Sequence, residues 1–139
     1  MEDLVTTKIV SAALLTDGDF FPDCGALVTF EGKVRNHDHG KSVLKLHYQA
    51  YPRMAQSELK KIKSEIEASS NEIKVFLVHR VGELMVGEVA VAIAVWAPHR
   101  KEAFRACEFA IDEIKKRVPI WKKEYYVGGE TQWVACHHH

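Results

Sequence analysis

The sequence predicts an α+β domain, a mainly antiparallel sheet carrying two long helices and a C-terminal hairpin. Three observations predict it. Apolar residues recur twice at helical spacing, from Ala55 to Ile66 and from Phe104 to Val118. Several shorter runs alternate apolar and polar residues, as half-buried strands do. Turn-forming clusters rich in Gly, Pro, Asp and Asn separate these runs, which suits strands arriving in hairpins.

Taken in order, residues 7–10 predict a short strand, and Asp17-Gly18-Asp19 through Pro22-Asp23-Cys24-Gly25 a loop with room for a helical turn. Residues 25–34 predict a strand with Ala26, Val28 and Phe30 on one face and Leu27, Thr29 and Glu31 on the other. The polar loop Arg35-Asn36-His37-Asp38-His39-Gly40 leads to a second strand over residues 43–48, and the pair is expected to form a hairpin with Arg35 at its mouth. From Arg53 onward, Ala55, Leu59, Ile62 and Ile66 define an amphipathic helix, with Lys61 and Glu65 at i,i+4 spacing, ended by Ser69-Ser70-Asn71. Residues 73–80 predict a strand and residues 81–87 a loop. Residues 88–96 are almost unbroken valine, alanine and isoleucine, which requires a central strand covered on both faces. Pro98 suits the first turn of a second helix, whose buried stripe is Phe104, Cys107, Ala110 or Ile111, Ile114 and Val118. Residues 125–134 predict a hairpin turning at Gly128-Gly129.

Composition bounds the function. The 139 residues are 47% hydrophobic and 27% charged, enough for one domain with a real core. Lys and Arg balance Asp and Glu at 19 each, so broad attraction to nucleic acid or an anionic membrane is unsupported, and anion recognition must come from local clustering. No N-terminal leader pattern and no apolar stretch near the roughly 20 residues of a membrane span is present, so a soluble cytoplasmic protein is expected. Cys24, Cys107 and Cys136 have no CxxC spacing and read as ordinary thiols in a reducing compartment. His137-His138-His139 reads as a tag remnant, leaving a single domain over residues 1–136.

Three patterns carry chemistry. His37-Asp38-His39, joined by His47, His79 or His99, offers metal ligands, but without HExxH spacing or a dependable third ligand, and the plainer reading is a polar loop. Cysteine nucleophilicity is disfavoured, because Cys107 sits on the apolar stripe and Cys24 has no adjacent base. The third pattern is cationic: Arg35, then His99 and Arg100 at a helix start, then Lys115-Lys116-Arg117-Val118-Pro119-Ile120-Trp121-Lys122-Lys123-Glu124. Pro119 should stop the helix, and its last-turn cations suit the negative end of the dipole. At about 1.5 Å per residue, Arg100 and Lys115 lie more than about 20 Å apart on one helix. A site using both therefore implies a symmetric dimer with one end from each subunit.

Four segments in order, Phe30-Glu31-Gly32-Lys33-Val34-Arg35-Asn36-His37, His79-Arg80-Val81-Gly82-Glu83-Leu84, Ala97-Pro98-His99-Arg100 and the 115–124 stretch, resemble the large, catalytic subunit of molybdopterin synthase. The resemblance runs from about Gly25 to Trp133. It implies an α/β hammerhead fold and a homodimer within a heterotetramer. A small ubiquitin-like sulfur-carrier subunit at each end inserts its C-terminal Gly-Gly thiocarboxylate into the large subunit. Sulfur then passes twice to cyclic pyranopterin monophosphate to form the molybdopterin dithiolene, a step of molybdenum cofactor biosynthesis, with no metal or cofactor in the large subunit. Carried over by motif, Lys115 and Lys122 are the catalytic lysines, and Lys33, Val34, Arg35, His99, Arg100, Lys115, Lys122, Lys123 and Glu124 contact substrate. Two departures stand out: the chain stops soon after Trp133, and no arginine precedes that tryptophan. The alternatives are a non-catalytic dimeric adaptor that binds a ubiquitin-like tail or a phosphorylated ligand, and a metal-dependent hydrolase using residues 37–39.

Overall fold

The most apolar run of the chain lies in a sheet interior, as its composition requires. The computed structural model describes residues 4–135. In chain order the elements are β1 (Val5–Thr6), α1 (Ala12–Thr16), β2 (Ala26–Lys33), β3 (His37–Asp38), β4 (Lys41–Ala50), α2 (Pro52–Ser69), β5 (Lys74–Arg80) and β6 (Gly82–Met85). They continue with β7 (Val89–Ala97), α3 (Arg100–Arg117), β8 (Ile120–Tyr126) and β9 (Thr131–Ala135). One sheet has the order β1-β5-β7-β2, so β7 is internal, and Ala90 through Val95 are buried on both faces. The branched face, Val91, Ile93 and Val95, joins Val75 and Leu77 of β5 in a core closed by Ala55, Leu59 and Ile62 of α2 and by Ala103, Ala110 and Ile114 of α3. The alanine face meets α1: Glu31, level with Ala92, accepts a hydrogen bond from the Ala12 N–H at 2.7 Å.

The expected single sheet is in fact two. The second has the order β3-β4-β8-β9, with β6 also paired to β4. The expected hairpin between residues 25–34 and 43–48 does not form, because β2 pairs with β7 while β4 pairs with β8 and β6. The intervening loop folds on itself instead: His37 pairs with Ser42 and Asp38 with Lys41 across a two-residue turn in which His39 and Gly40 have φ of 50° and 76°. Two consecutive left-handed residues make the tight turn that matches strand twist, so this small hairpin redirects the chain into the second sheet.

Other expectations shift for identifiable reasons. The first strand is Val5–Thr6 rather than residues 7–10, because the Thr6 hydroxyl accepts from the Lys8 N–H at 3.1 Å and turns the chain away. The helical turn expected within residues 17–25 lies just before them, as α1, capped by the Ser11 side chain. Residues 82–85 form β6 rather than a loop, fixed by the fully buried Leu84 between glycines at positive φ. Lys61 pairs with Glu58 at 3.2 Å rather than with Glu65, whose carboxylate takes both arms of the Arg117 fork at 2.7 and 2.8 Å. A bidentate guanidinium outcompetes an ammonium for a carboxylate. Phe104 is exposed; α3 approaches β2 and β7 through Ala103, Ala106, Cys107 and Ala110, and these small side chains leave Phe104 outside the contact. Pro98 precedes the helix, with His99 at the N-cap. The C-terminal hairpin is present, with Gly129 at φ 95° in its turn.

Candidate functional site

Where β2 runs out against β7, the ladder skips a residue: Gly32 lies opposite Val91, Lys33 opposite Val89. Such a bulge bends a strand and re-aims the side chains beyond it. Gly32 is required there, because a Cβ would come within 2.7 Å of Val91 Cγ1. The bulge delivers Lys33, Val34 and Arg35 to a cavity of about 320 Å³ at the seam between the two sheets. Lys115 enters it from the last turn of α3, and Lys122 and Glu124 from β8. Residues on a strand alternate faces, so Lys122, Glu124 and Tyr126 share a side and Lys123 points away. Lys123 instead lies over the Tyr125 and Trp133 rings, at 5.2 and 5.9 Å.

Six of the predicted residues, Lys33, Val34, Arg35, Lys115, Lys122 and Glu124, are thus brought together, and three are not. His99 and Arg100 begin α3, at the opposite end from Lys115, and Lys123 lies on the outer face of β8. A larger groove along α2, about 860 Å³, is lined by Lys60, Lys61 and Ser64 and contains none of the predicted residues.

Electrostatically the cavity is cationic around a pair of carboxyls, Asp38 and Glu124. Glu124 is 1% exposed, and Tyr126 Oη donates to its Oε1 at 2.6 Å while Lys122 Nζ stands 3.6 Å from Oε2. Burial pushes the Glu124 carboxyl above the usual carboxylate range, reinforced by a hydrogen bond with Asp38. The same bond holds the Asp38 carboxyl below its usual value, with Lys122, His39 and Arg35 adding to the effect. Of the two carboxyls, Glu124 is therefore the one that takes up a proton first as pH falls. The Glu124 bond pushes Tyr126 up to about 12, so its hydroxyl remains a donor. Asp38 also holds Arg35, Nη2 to Oδ1 at 3.6 Å. Two carboxyls, Asp38 and Glu124, face four cations, Lys33, Arg35, Lys115 and Lys122, an imbalance that suits an anionic ligand.

The family model for the MoaE protein matches residues 4–117. The chain belongs to the MoaE family. A relative from Bacillus subtilis, named molybdopterin synthase catalytic subunit, is 47% identical over 113 residues, covering 81% of this chain and 71% of the relative. The crystal structure of molybdopterin synthase from Staphylococcus aureus superposes with a TM-score of 0.88 at 37% identity, covering 96% of this chain and 98% of that one. A Helicobacter pylori structure, described as a complex of subunits 1 and 2 of molybdopterin-converting factor, shares the fold with a TM-score of 0.66 at 20% identity, covering 81% of this chain and 72% of that one.

Within this MoaE-family chain, several cavity residues escaped sequence reasoning. Asp38 appeared only as a possible metal ligand, yet it bonds a carboxyl far along the chain; among the described residues no group of three or more His, Cys, Asp or Glu side chains is placed to hold a metal. His79 and Tyr48 line the cavity with their rings edge to face at 5.3 Å. The His79-Arg80 motif carried part of the resemblance, a signal that could have nominated His79. Burial pushes the Cys107 thiol up to about 11, and burial with Asp23 raises that of Cys24, so both remain protonated at neutral pH. Cys136 lies outside the described residues. No helix among the described residues is long and apolar enough to cross a membrane.

Proposed function

We propose that this chain is the catalytic subunit of a molybdopterin synthase, a cytoplasmic sulfurtransferase of molybdenum cofactor biosynthesis. It takes sulfur from the C-terminal thiocarboxylate of a small ubiquitin-like subunit and passes it to cyclic pyranopterin monophosphate. The observation that carries this reading is the convergence of Lys115, Lys122, Glu124 and Lys33–Arg35 on one cationic cavity. Family membership supports the reaction, and the two-subunit description of the Helicobacter pylori structure supports the partner.

In this reading the thiocarboxylate sulfur forms a C–S bond to a side-chain carbon of the pterin as that carbon's bond to a cyclic-phosphate oxygen breaks, and water then cleaves the acyl–sulfur bond, returning the tail as a carboxylate. Lys115 stabilises the tetrahedral oxyanion at the tail carbonyl, a fixed cation in a site walled by Val43 and Leu46. Lys122 moves a proton as the cyclic phosphate opens, beside the Asp38–Glu124 pair. Arg35, with His99 and Arg100, binds phosphate and pterin oxygens. Because His99 and Arg100 start the helix that Lys115 ends, they reach this cavity from a second copy, in a homodimer within a heterotetramer.

The test is to mix the protein with a thiocarboxylated small subunit and cyclic pyranopterin monophosphate. Molybdopterin is expected; tail binding without product overturns the reading in favour of an adaptor. Mixing Lys115→Ala with Arg100→Ala subunits tests the shared site. Each variant alone is expected to be inactive, while the mixed dimer recovers one working site. Absence of complementation in a verified mixed dimer places the site within one chain.

A further inference from the structure

Period two puts Lys122, Glu124 and Tyr126 on one face of β8, and the structure joins them end to end. Tyr126 is buried, and its Oη donates to Glu124 Oε1 at 2.6 Å. Gln132 Oε1 lies 3.3 Å from the same hydroxyl. A hydroxyl has one hydrogen, and the shorter, buried contact takes it. The ring itself is anchored: the Tyr126 N–H donates to the Glu130 carbonyl at 3.0 Å, Val43 lies opposite on β4, and Lys41 Nζ stands 4.9 Å from the ring centroid. The other oxygen of Glu124, Oε2, lies 3.6 Å from Lys122 Nζ. The two oxygens share one rigid plane, while the torsion that turns this plane is intrinsically soft. Fixing Oε1 therefore fixes the direction in which Oε2 meets the lysine.

We propose that Tyr126 is a positioning residue for Lys122, its hydroxyl holding one oxygen of Glu124 so that the other keeps the lysine amine turned into the cavity. The inference rests on the proton-transfer reading of Lys122 given above. Lys122 and Glu124 line the cavity, and Tyr126 is not among the described residues that do, so it acts through Glu124 and not on the ligand. Asp38 bonds the same carboxyl from β3, so Glu124 is gripped from its own strand and from a second one. The Tyr126 hydroxyl, pushed up to about 12, stays a donor throughout the working range. Lysine needs such a hold, because its four-carbon stem is flexible and proton transfer requires the amine within hydrogen-bond reach of the reacting oxygen. A displacement of about 1 Å in a catalytic group is enough to cost about a hundredfold in rate.

Tyr126→Phe removes the hydroxyl and keeps the ring with its packing. Two readouts separate positioning from a structural role. The first is the Lys122 Cε methylene, followed by NMR in the full chain isotopically labelled at lysine Cε, without partner, and assigned by its loss in Lys122→Arg. A held amine makes the two methylene protons inequivalent, and free rotation averages them. Distinct shifts are expected in wild type and a single averaged shift in Tyr126→Phe. The second is turnover with the thiocarboxylated small subunit, in which Tyr126→Phe is expected to lower kcat about tenfold at unchanged KM for the pterin. Averaged protons in wild type, protons as distinct as wild type in Tyr126→Phe, or a wild-type kcat in Tyr126→Phe each overturns the proposal. A loss carried by KM alone does so too, because it would place the hydroxyl in ligand binding. Wild-type protein that makes no molybdopterin would instead overturn the functional reading of Lys122, and the methylene shifts would still decide whether Tyr126 holds the lysine.

Discussion

Arg117 and Lys115 lie two residues apart on the last turn of α3 and occupy opposite electrostatic surroundings. Arg117 is clamped by three carboxylates: Glu65 takes both arms of its fork, and Glu58 and Glu113 each accept at about 3 Å. Those acids come from α2 and from the preceding turn of α3, so the clamp ties the two long helices together. Lys115, rotated around the same turn, faces the seam between the sheets, where cations outnumber acids. An excess of carboxylates makes a charge structural, and an excess of cations makes a site that waits for an anion. The helix dipole treats both residues alike, so tertiary surroundings decide between the two uses.

Exchanging the two losses gives the largest expected effect. Lys115→Ala is expected to reduce molybdopterin formation at least about a hundredfold, typical of losing one oxyanion stabiliser, with a melting temperature close to wild type. Arg117→Ala is expected to do the reverse, keeping activity while costing about 1 kcal/mol of stability in denaturant unfolding, since the clamp is partly exposed and screened. Similar activity losses in both would erase the distinction.

A smaller effect concerns proton linkage, where the two regions have opposite signs. Glu58 and Glu65 are lowered, first by hydrogen bonds to Lys61 and Arg117 respectively, so their stabilisation is present above the unfolded carboxylate value near 4.5 and is lost as pH falls through the folded values. Glu124 is raised, chiefly by burial, so its contribution is intact below that value and is lost as pH rises through the folded value. Arg117→Ala should flatten the acid side of the stability curve, and Glu124→Gln, which keeps a neutral side chain, should flatten the side above about 4.5. Urea unfolding between pH 3 and 8, on the order of one transition every half unit, checks both, and an unchanged profile in Glu124→Gln would mean that Glu124 is ionised. Smaller still, added salt should weaken the Arg117 clamp more than the buried Tyr126–Glu124 bond.

Charge identity was legible in the chain; charge allocation was not. Lys122 and Glu124 could be placed on one strand face by period two alone, and the same rule, applied strictly, would have turned Lys123 outward. Helix length alone separated Arg100 from Lys115, and α3 keeps them at opposite ends. The Asp38–Glu124 hydrogen bond could not be anticipated, because it depends on a two-residue strand folding back from far away in sequence. The stripe of α3 was misjudged at Phe104 because period finds a face but not its tightest contacts, which here belong to alanines. Strand partners were least legible. Both β2 and β4 look ready for a hairpin, and only the turn at His39-Gly40, with two left-handed residues, sends them to different sheets.

Gly32 carries no charge and lies where Val91 leaves no room for even one carbon. Valine is stiff about χ1, so the neighbour cannot swing aside. Inherited variation at this codon should therefore have a characteristic signature. A change to alanine, serine or valine would leave Lys115 and Lys122 on their own elements yet displace Lys33 through Arg35 together, so the loss would appear in ligand binding as well as in stability.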